Sequence, residues 1–109
     1  PTPNDRRIRF MGKTYWVYMM TNKNLTTVYI CMTNNLERRV DEHRAGEVEG
    51  FTIHYNLTYL VHYEAFADVH DAIREAKQFK RRDRPRKNAL IETDNPNWDD
   101  LSDGGNWFK

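Results

Sequence analysis

Residues 15–34 read YWVYMMTNKNLTTVYICMTN, and they contain two short runs that are rich in Tyr, Val and Ile. These runs, residues 15–20 and 27–32, are typical of β-strands. The polar stretch TNKNLT between them favours a turn, so the sequence predicts an antiparallel hairpin. Each run carries a tyrosine, Tyr18 or Tyr29, eleven positions apart. Taken alone the two tyrosines indicate packing, because the ring fills a core while its hydroxyl stays near water.

The residues that follow the hairpin predict a first helix. Asn34 can cap its first turn, and Glu37 three residues later completes a pattern that resembles a capping box. Gly46 is expected to end the helix. Arg39 and His43 are four residues apart, so they lie on one side of the helix, beside its apolar stripe.

The second half of the chain predicts one strand and two helices. Residues 57–66, LTYLVHYEAF, alternate between two faces as a strand does. Asp68 can cap a second helix, and Pro85 allows a third that ends at Asn95-Pro96. The expected inward positions of the second helix are Val69, Ala72, Ile73, Ala76 and Phe79. The sequence thus predicts an α/β (α+β) domain, a three-stranded antiparallel sheet flanked by about three helices, in the order β-β-α-β-α-α.

The 109 residues suit a single domain, and 39% hydrophobic with 30% charged residues is typical of a soluble protein. No apolar run is long enough to cross a bilayer, and the first residues are too polar for a signal peptide. One cysteine excludes an internal disulfide bond. We therefore expect a cytoplasmic protein that has a flexible basic lead-in over residues 1–13, a domain over 14–98 and an acidic, aromatic tail over 99–109.

Residues 80–87, KRRDRPRK, form a basic block in a chain whose net charge is +1. Such a block suggests a polyanionic partner, most commonly a phosphate backbone. Considered alone, one such block is explained slightly better by an exposed, solvated helix end than by a binding role. The candidate nucleic-acid contacts are Lys80, Arg81, Arg82, Arg84, Arg86 and Lys87.

Several motifs together resemble the GIY-YIG nuclease family. They are WVY, the eleven-residue spacing of the tyrosines, YIC and TNNLERRVDEH. The later stretches GFTIHYNLTYLVHYEAF, AIREAKQFKRR and LIETDNPNWDDLS resemble the small, single-domain branch of that family. The resemblance covers roughly residues 14–102. It implies a compact α/β domain with a three-stranded sheet, and this matches the order of elements read from the residues.

The resemblance also implies an activity and a site. The activity is cleavage of a DNA phosphodiester bond with Mg²⁺ or Mn²⁺, on branched or damaged DNA in repair or recombination, with no membrane partner. Matched by position, the catalytic residues are Tyr18, Tyr29, Arg39, His43 and Asn95. A phenol beside a metal ion loses its proton more easily, an arginine fork holds the phosphate, and a histidine moves a proton near pH 7. Without the resemblance, Arg39 indicates a surface ion pair with Glu42, and His43 a half-buried helix residue.

The sequence departs from the family pattern at two positions. Cys31 replaces a glycine, which the fold should tolerate because cysteine is small. Ala76 stands where the family carries its metal-binding glutamate, before Lys-Gln. Glu75 and Glu64 are weak substitutes, since periodicity places Glu75 on the wet face of the helix. Four explanations stay open: a shifted helix, another carboxylate, a domain that binds without cutting, or an engineered alanine.

Three functions are therefore compared. The first is a metal-dependent DNA endonuclease, and the second is a nucleic-acid-binding module on the same scaffold. The third is a protein-interaction domain anchored by Trp98, Trp107 and Phe108, for which ordinary packing of these aromatics is the better explanation. DNA preference, pathway and oligomeric state stay open at the level of sequence.

Overall fold

A computed structural model describes residues 14–46 and 56–102 of the chain. In chain order the elements are β1 Tyr15–Thr21, β2 Val28–Thr33, α1 Leu36–Ala45, β3 Tyr59–Phe66, α2 Val69–Arg81 and α3 Arg84–Asp94. The three strands form one antiparallel sheet in the order β2-β1-β3. The predicted fold class and order of elements are confirmed. Within the described ranges, no helix combines the length and apolar composition needed to cross a membrane.

The central strand β1 is buried on both sides, and its residues alternate between two apolar clusters. The cluster on the side of α2 and α3, called the α2 face, comprises Val17, Met19, Ile30, Val61, Ala72, Ala76, Phe79 and Ile91. The cluster on the side of α1, called the α1 face, comprises Trp16, Tyr18, Met20, Leu36, Val40, Leu57 and Leu60. Membership of a cluster therefore tells on which side of the sheet a side chain lies.

A β-bulge in β3 changes which residues face each side. Met19 pairs with His62, and the next β1 residue, Met20, pairs with Leu60. Val61 therefore has no pairing partner on β1 and is the extra residue. Leu60 and Tyr63 pack on the α1 face, whereas Val61 and the ring of His62, against Phe79, lie on the α2 face. The strict alternation expected over residues 57–66 is thus wrong, because a bulge inserts one residue and shifts the pattern.

The helix ends follow their local signals with one exception. Asn35, not the expected Asn34, caps α1, because its side-chain oxygen accepts the Arg38 N–H at 3.1 Å. The remaining predicted ends are confirmed: Gly46 closes α1 with φ of 73°, a left-handed conformation that glycine adopts easily, and Asp68 caps α2.

The buried stripe of α2 is narrower than predicted. Ala72, Ala76 and Phe79 are buried, but Ile73 is 37% exposed, so its expected inward position is wrong. Because each residue turns a helix by ~100°, Ile73 falls to one side of the stripe and Glu75 to the other. Glu75 is therefore half-buried beside the sheet rather than on the wet face of the helix.

The residues after α3 return to the sheet. The Leu101 N–H donates to the Leu60 carbonyl at 2.7 Å, and the Asp100 carboxylate accepts the Leu60 N–H at 3.1 Å. Residues 99–102 thus lie against the outer edge of β3. Trp98 packs against the α2-face cluster and donates its indole N–H to Glu92. The lead-in 1–13 and the tail aromatics Trp107 and Phe108 lie outside the described residues.

Candidate functional site

The α1 face brings together four of the five residues that the family resemblance selected. Tyr18 comes from β1 and Tyr29 from β2, and the strand register places both phenols on this face of the sheet. Arg39 and His43 come from α1, which covers the same face. The site therefore depends on the hairpin register together with the way α1 packs on the sheet.

His43 lies between the two phenols. Its Nε2 is 3.2 Å from the Tyr18 hydroxyl, and its ring centroid is 5.8 Å from that of each tyrosine. Tyr18 is fully buried and His43 is 4% exposed. These two side chains consequently form an inner layer of the site.

One hydrogen bond joins the two side chains of the inner layer, between the Tyr18 hydroxyl and Nε2 of His43. Either group can supply the proton, because a neutral imidazole exists in two tautomers. The Arg39 guanidinium lies close to the Tyr18 phenol and opposes the larger effect of burial on its pKa. The buried Nδ1 of His43 has no hydrogen-bond partner within the part of the chain that the structure describes.

Burial keeps the inner layer uncharged near pH 7. Burial raises the pKa of Tyr18 strongly, and it raises the pKa of Tyr29 to about 12. Burial, with the nearby Arg39 charge second, lowers the pKa of His43 to about 4. Both phenols thus keep their protons near pH 7, and the imidazole is neutral and weakly basic. Arg39 carries the positive charge of this group of four.

The outer layer of the site is formed by Tyr29 and Arg39. Tyr29 is half-buried, and the Arg39 side chain is 34% exposed. Arg39 also donates to Glu42 at 3.0 Å, so the ion pair anticipated from the sequence is present beside the phenols. Sequence reasoning treated Glu42 only as a surface partner. Its spacing of three residues from Arg39 is the signal that places it at the site.

Cys31 packs against the α1-face cluster, as Tyr29 does. It pairs with Tyr18 in the register, and its thiol lies 3.7 Å from the Met32 carbonyl. These contacts agree with the structural role expected for this residue.

Asn95 is not among the residues that converge. Its amide N–H groups donate to the carbonyls of Val61 at 3.1 Å and Asp99 at 2.9 Å, and its oxygen accepts the Asp99 N–H. The side chain is buried and joins the end of α3 to β3. Its catalytic role stays a prediction from the resemblance, while its observed contacts serve the fold.

The expected metal-ligand positions lie on the other side of the sheet from the phenols. Ala76 is 7% exposed within the α2-face cluster. Glu64 accepts from His62 at 2.8 Å. This bond lowers the pKa of Glu64, whereas burial and then the nearby charge of Glu64 raise the pKa of Glu75. The two carboxylates therefore repel one another when both are charged.

We predict that Glu75→Gln stabilises the protein at pH 7 by less than about 0.5 kcal/mol, because the amide removes a repulsion that solvent largely screens at this position. A raised pKa means that the contribution of Glu75 is present below its unfolded pKa and is lost as pH rises through the folded pKa. The gain should therefore disappear towards pH 4. Urea unfolding across this range tests it, with the exposed Asp41→Asn as control, and a constant gain at all pH values would contradict it.

The residues around the phenols do not fit a divalent cation. Among residues 14–46 and 56–102, no three His, Cys, Asp or Glu side chains form a group that could hold a metal ion. The carboxylate in contact with the site, Glu42, is already paired with arginine. Mg²⁺ and Mn²⁺ favour oxygen ligands and usually a carboxylate. The cation that the resemblance implies therefore stays a prediction without a described ligand set.

Part of the basic block serves the fold. Arg84 donates to the carbonyls of Leu25 at 2.7 Å and Thr26 at 2.9 Å, and its guanidinium lies 5.9 Å from the centre of the Trp98 ring. Arg84 thus fastens α3 to the tip of the hairpin. This contact places the start of α3 at the end of the sheet where β2 and Tyr29 begin.

The rest of the block is more accessible. Lys80, Arg81 and Arg86 are exposed, and Lys87 is half-buried. The guanidinium of Arg82 lies 5.3 Å from the centre of the Phe79 ring. Together with Arg86 it borders an open recess of about 270 Å³ on α3. These cations remain candidate phosphate contacts, on the side of the sheet away from the inner layer.

Comparison with known proteins gives consistent results. Residues 14–89 match the family model described as the GIY-YIG catalytic domain. The chain is 31% identical over 86 residues to a UPF0213 protein of Lacticaseibacillus paracasei, covering 79% of this chain and 96% of that protein. It is 33% identical over 81 residues to a UPF0213 protein of Natronomonas pharaonis, covering 74% and 94%.

A solved structure supports the same fold. The solution NMR structure of a UPF0213 protein from Bacillus halodurans superimposes with a TM-score of 0.53 at 22% sequence identity. The match covers 82% of this chain and 94% of that one. At this identity the likeness bears on the fold alone.

Proposed function

Because this chain belongs to the GIY-YIG family, a nuclease family, we propose that it is a DNA endonuclease. In this proposal Tyr29 and Arg39 form the site where a phosphodiester bond of the DNA is hydrolysed. The observation that supports this most strongly is the convergence of a guanidinium, two phenols and an imidazole on one face of the sheet. Packing alone would not require a charged arginine beside a buried phenol. An oriented guanidinium is a strong, two-pronged donor to phosphate.

The chemistry follows from the two layers. Arg39 offers paired N–H donors to the phosphate, and the Tyr29 hydroxyl can donate to another phosphate oxygen. Donors that are fixed before the substrate arrives stabilise the negative charge that grows in the transition state. Tyr18 and His43 lie close to Arg39 on the buried side. His43 is unprotonated at neutral pH, so it can accept a proton only weakly.

Since the described carboxylates do not provide a cation site, we expect slow cleavage. A second function, nucleic-acid binding without cleavage, is favoured by this same observation. The accessible cations of the basic block would support either function, because each phosphate that they neutralise adds affinity that falls with salt.

One gel assay separates the two functions. Plasmid and branched DNA are incubated with the protein, with and without Mg²⁺ or Mn²⁺. Cuts that fall about a hundredfold in Tyr29→Phe, which removes one hydroxyl donor and keeps the ring, would support the endonuclease. Retarded but intact DNA would support the binding module. Cutting that is unchanged in Tyr29→Phe would contradict the proposed site.

A further inference from the structure

Glu42 lies between two arginines at the accessible side of the site. Its Oε1 is 3.0 Å from Nη1 of Arg39, and its Oε2 is 3.7 Å from Nε of Arg38. The exposed fractions of the side chains are 30% for Glu42, 34% for Arg39 and 64% for Arg38. Solvent, and therefore an incoming anion, reaches all three.

The two partners of Arg39 differ in kind. The neutral Tyr18 phenol lies close to the guanidinium on the buried side, and the charged Glu42 accepts from the guanidinium on the exposed side. A carboxylate and a phosphate present similar pairs of acceptor oxygens to an arginine fork. An anion can therefore take over the outer contact while Tyr18 stays beside the guanidinium.

We propose that Glu42 is an internal substitute for the phosphate, that the backbone phosphate of a nucleic acid displaces it from Arg39, and that its charge sets the affinity of the site. The proposal rests on the proposed function for the identity of the anion. Arg38 becomes a second cationic contact once Glu42 is displaced. Glu42 is thus an affinity-determining residue and not a catalytic one.

The expected size of the effect follows from its position. The carboxylate and a phosphate on Arg39 would be about 5 Å apart in a half-exposed setting, where water screens much of the repulsion. Removing the charge of Glu42 should therefore tighten anion binding about fivefold to tenfold. The gain should shrink at high salt, because exposed charges are screened.

The test uses two probes and a matched control. Glu42→Gln and Asp41→Asn each remove one acidic charge from α1, but Asp41 is an exposed residue beside the pair. Inorganic pyrophosphate is titrated while the ¹⁵N signal of the Arg39 guanidinium is followed, and a short DNA duplex is titrated by fluorescence anisotropy. We expect Glu42→Gln to bind pyrophosphate at Arg39 fivefold to tenfold more tightly, and Asp41→Asn to change by less than twofold.

Two further variants complete the design. Glu42→Ala should give the same gain if Glu42→Gln fails to fold, and adding Arg38→Gln to Glu42→Gln should remove at least half of it. The proposal is overturned if Glu42→Gln binds no more tightly than the natural sequence, or if Asp41→Asn matches it. If the gain for pyrophosphate appears while no variant cuts or binds DNA, the proposed function fails and the assignment of Glu42 stands.

Discussion

Ala76→Glu is expected to destabilise the protein by about 3–5 kcal/mol, and not to create a metal site. Ala76 is 7% exposed in the α2-face cluster, where a carboxylate would lose its hydration and find apolar neighbours. Urea unfolding at pH 7 measures the effect. The loss should become smaller as pH falls, because protonation removes the buried charge.

The control for Ala76→Glu is Ala76→Leu, which adds volume without charge. Overpacking alone should cost about 1–3 kcal/mol, so the difference between the two variants isolates the carboxylate. A stable Ala76→Glu protein that gains metal-dependent cleavage would contradict this prediction. It would mean that position 76 reaches the substrate, as the family pattern implies, despite its burial here.

Arg39→Ala is expected to lower the single-turnover rate of DNA cleavage by about 10²–10³-fold, the usual cost of removing one preorganised donor. The variant also removes the cation that a phosphate would contact at this site. Arg39→Lys should recover only a small part of the rate, because lysine keeps the charge but lacks the planar fork.

A matched control is Arg74→Ala, which removes an exposed helical arginine that also pairs with an acid three residues away. Its cleavage rate should stay within about twofold. Thermal unfolding of each variant confirms that the fold is retained. An Arg39→Ala protein that cuts as fast as the natural sequence would place the reaction elsewhere on the molecule.

Most of the fold could be predicted because its signals are local. The turn between β1 and β2, the cap at Asp68 and the stop at Gly46 each depend on a few neighbouring residues. The exceptions depend on tertiary structure. No pattern within β3 distinguishes Val61 as the bulged residue, since the bulge is defined by pairing with β1. The apolar side chain of Ile73 predicted a buried position, but the sheet covers only a narrow stripe of α2 that leaves Ile73 partly exposed.

The candidate site, like the fold, could be predicted from the sequence only in part. The family resemblance selected Tyr18, Tyr29, Arg39 and His43, and strand alternation and helical spacing agree with the single face that they share. Periodicity also predicted correctly that Ala76 points inward. Periodicity could not show, however, that the buried side of α2 packs on the face of the sheet opposite to the two phenols. The burial that keeps the phenols protonated depends on how α1 packs, and no single stretch of sequence encodes it.

The segment that follows α3 has a consequence for how molecules of this protein meet one another. A strand at the border of a sheet can recruit a strand from a neighbouring molecule and start aggregation. At the β3 edge, Asp100 and Leu101 form hydrogen bonds with the N–H and the carbonyl of Leu60. The bulged residue Val61, next to Leu60, also makes the strand irregular. This part of the β3 edge is thereby a poorer template for intermolecular pairing than an uncovered strand would be.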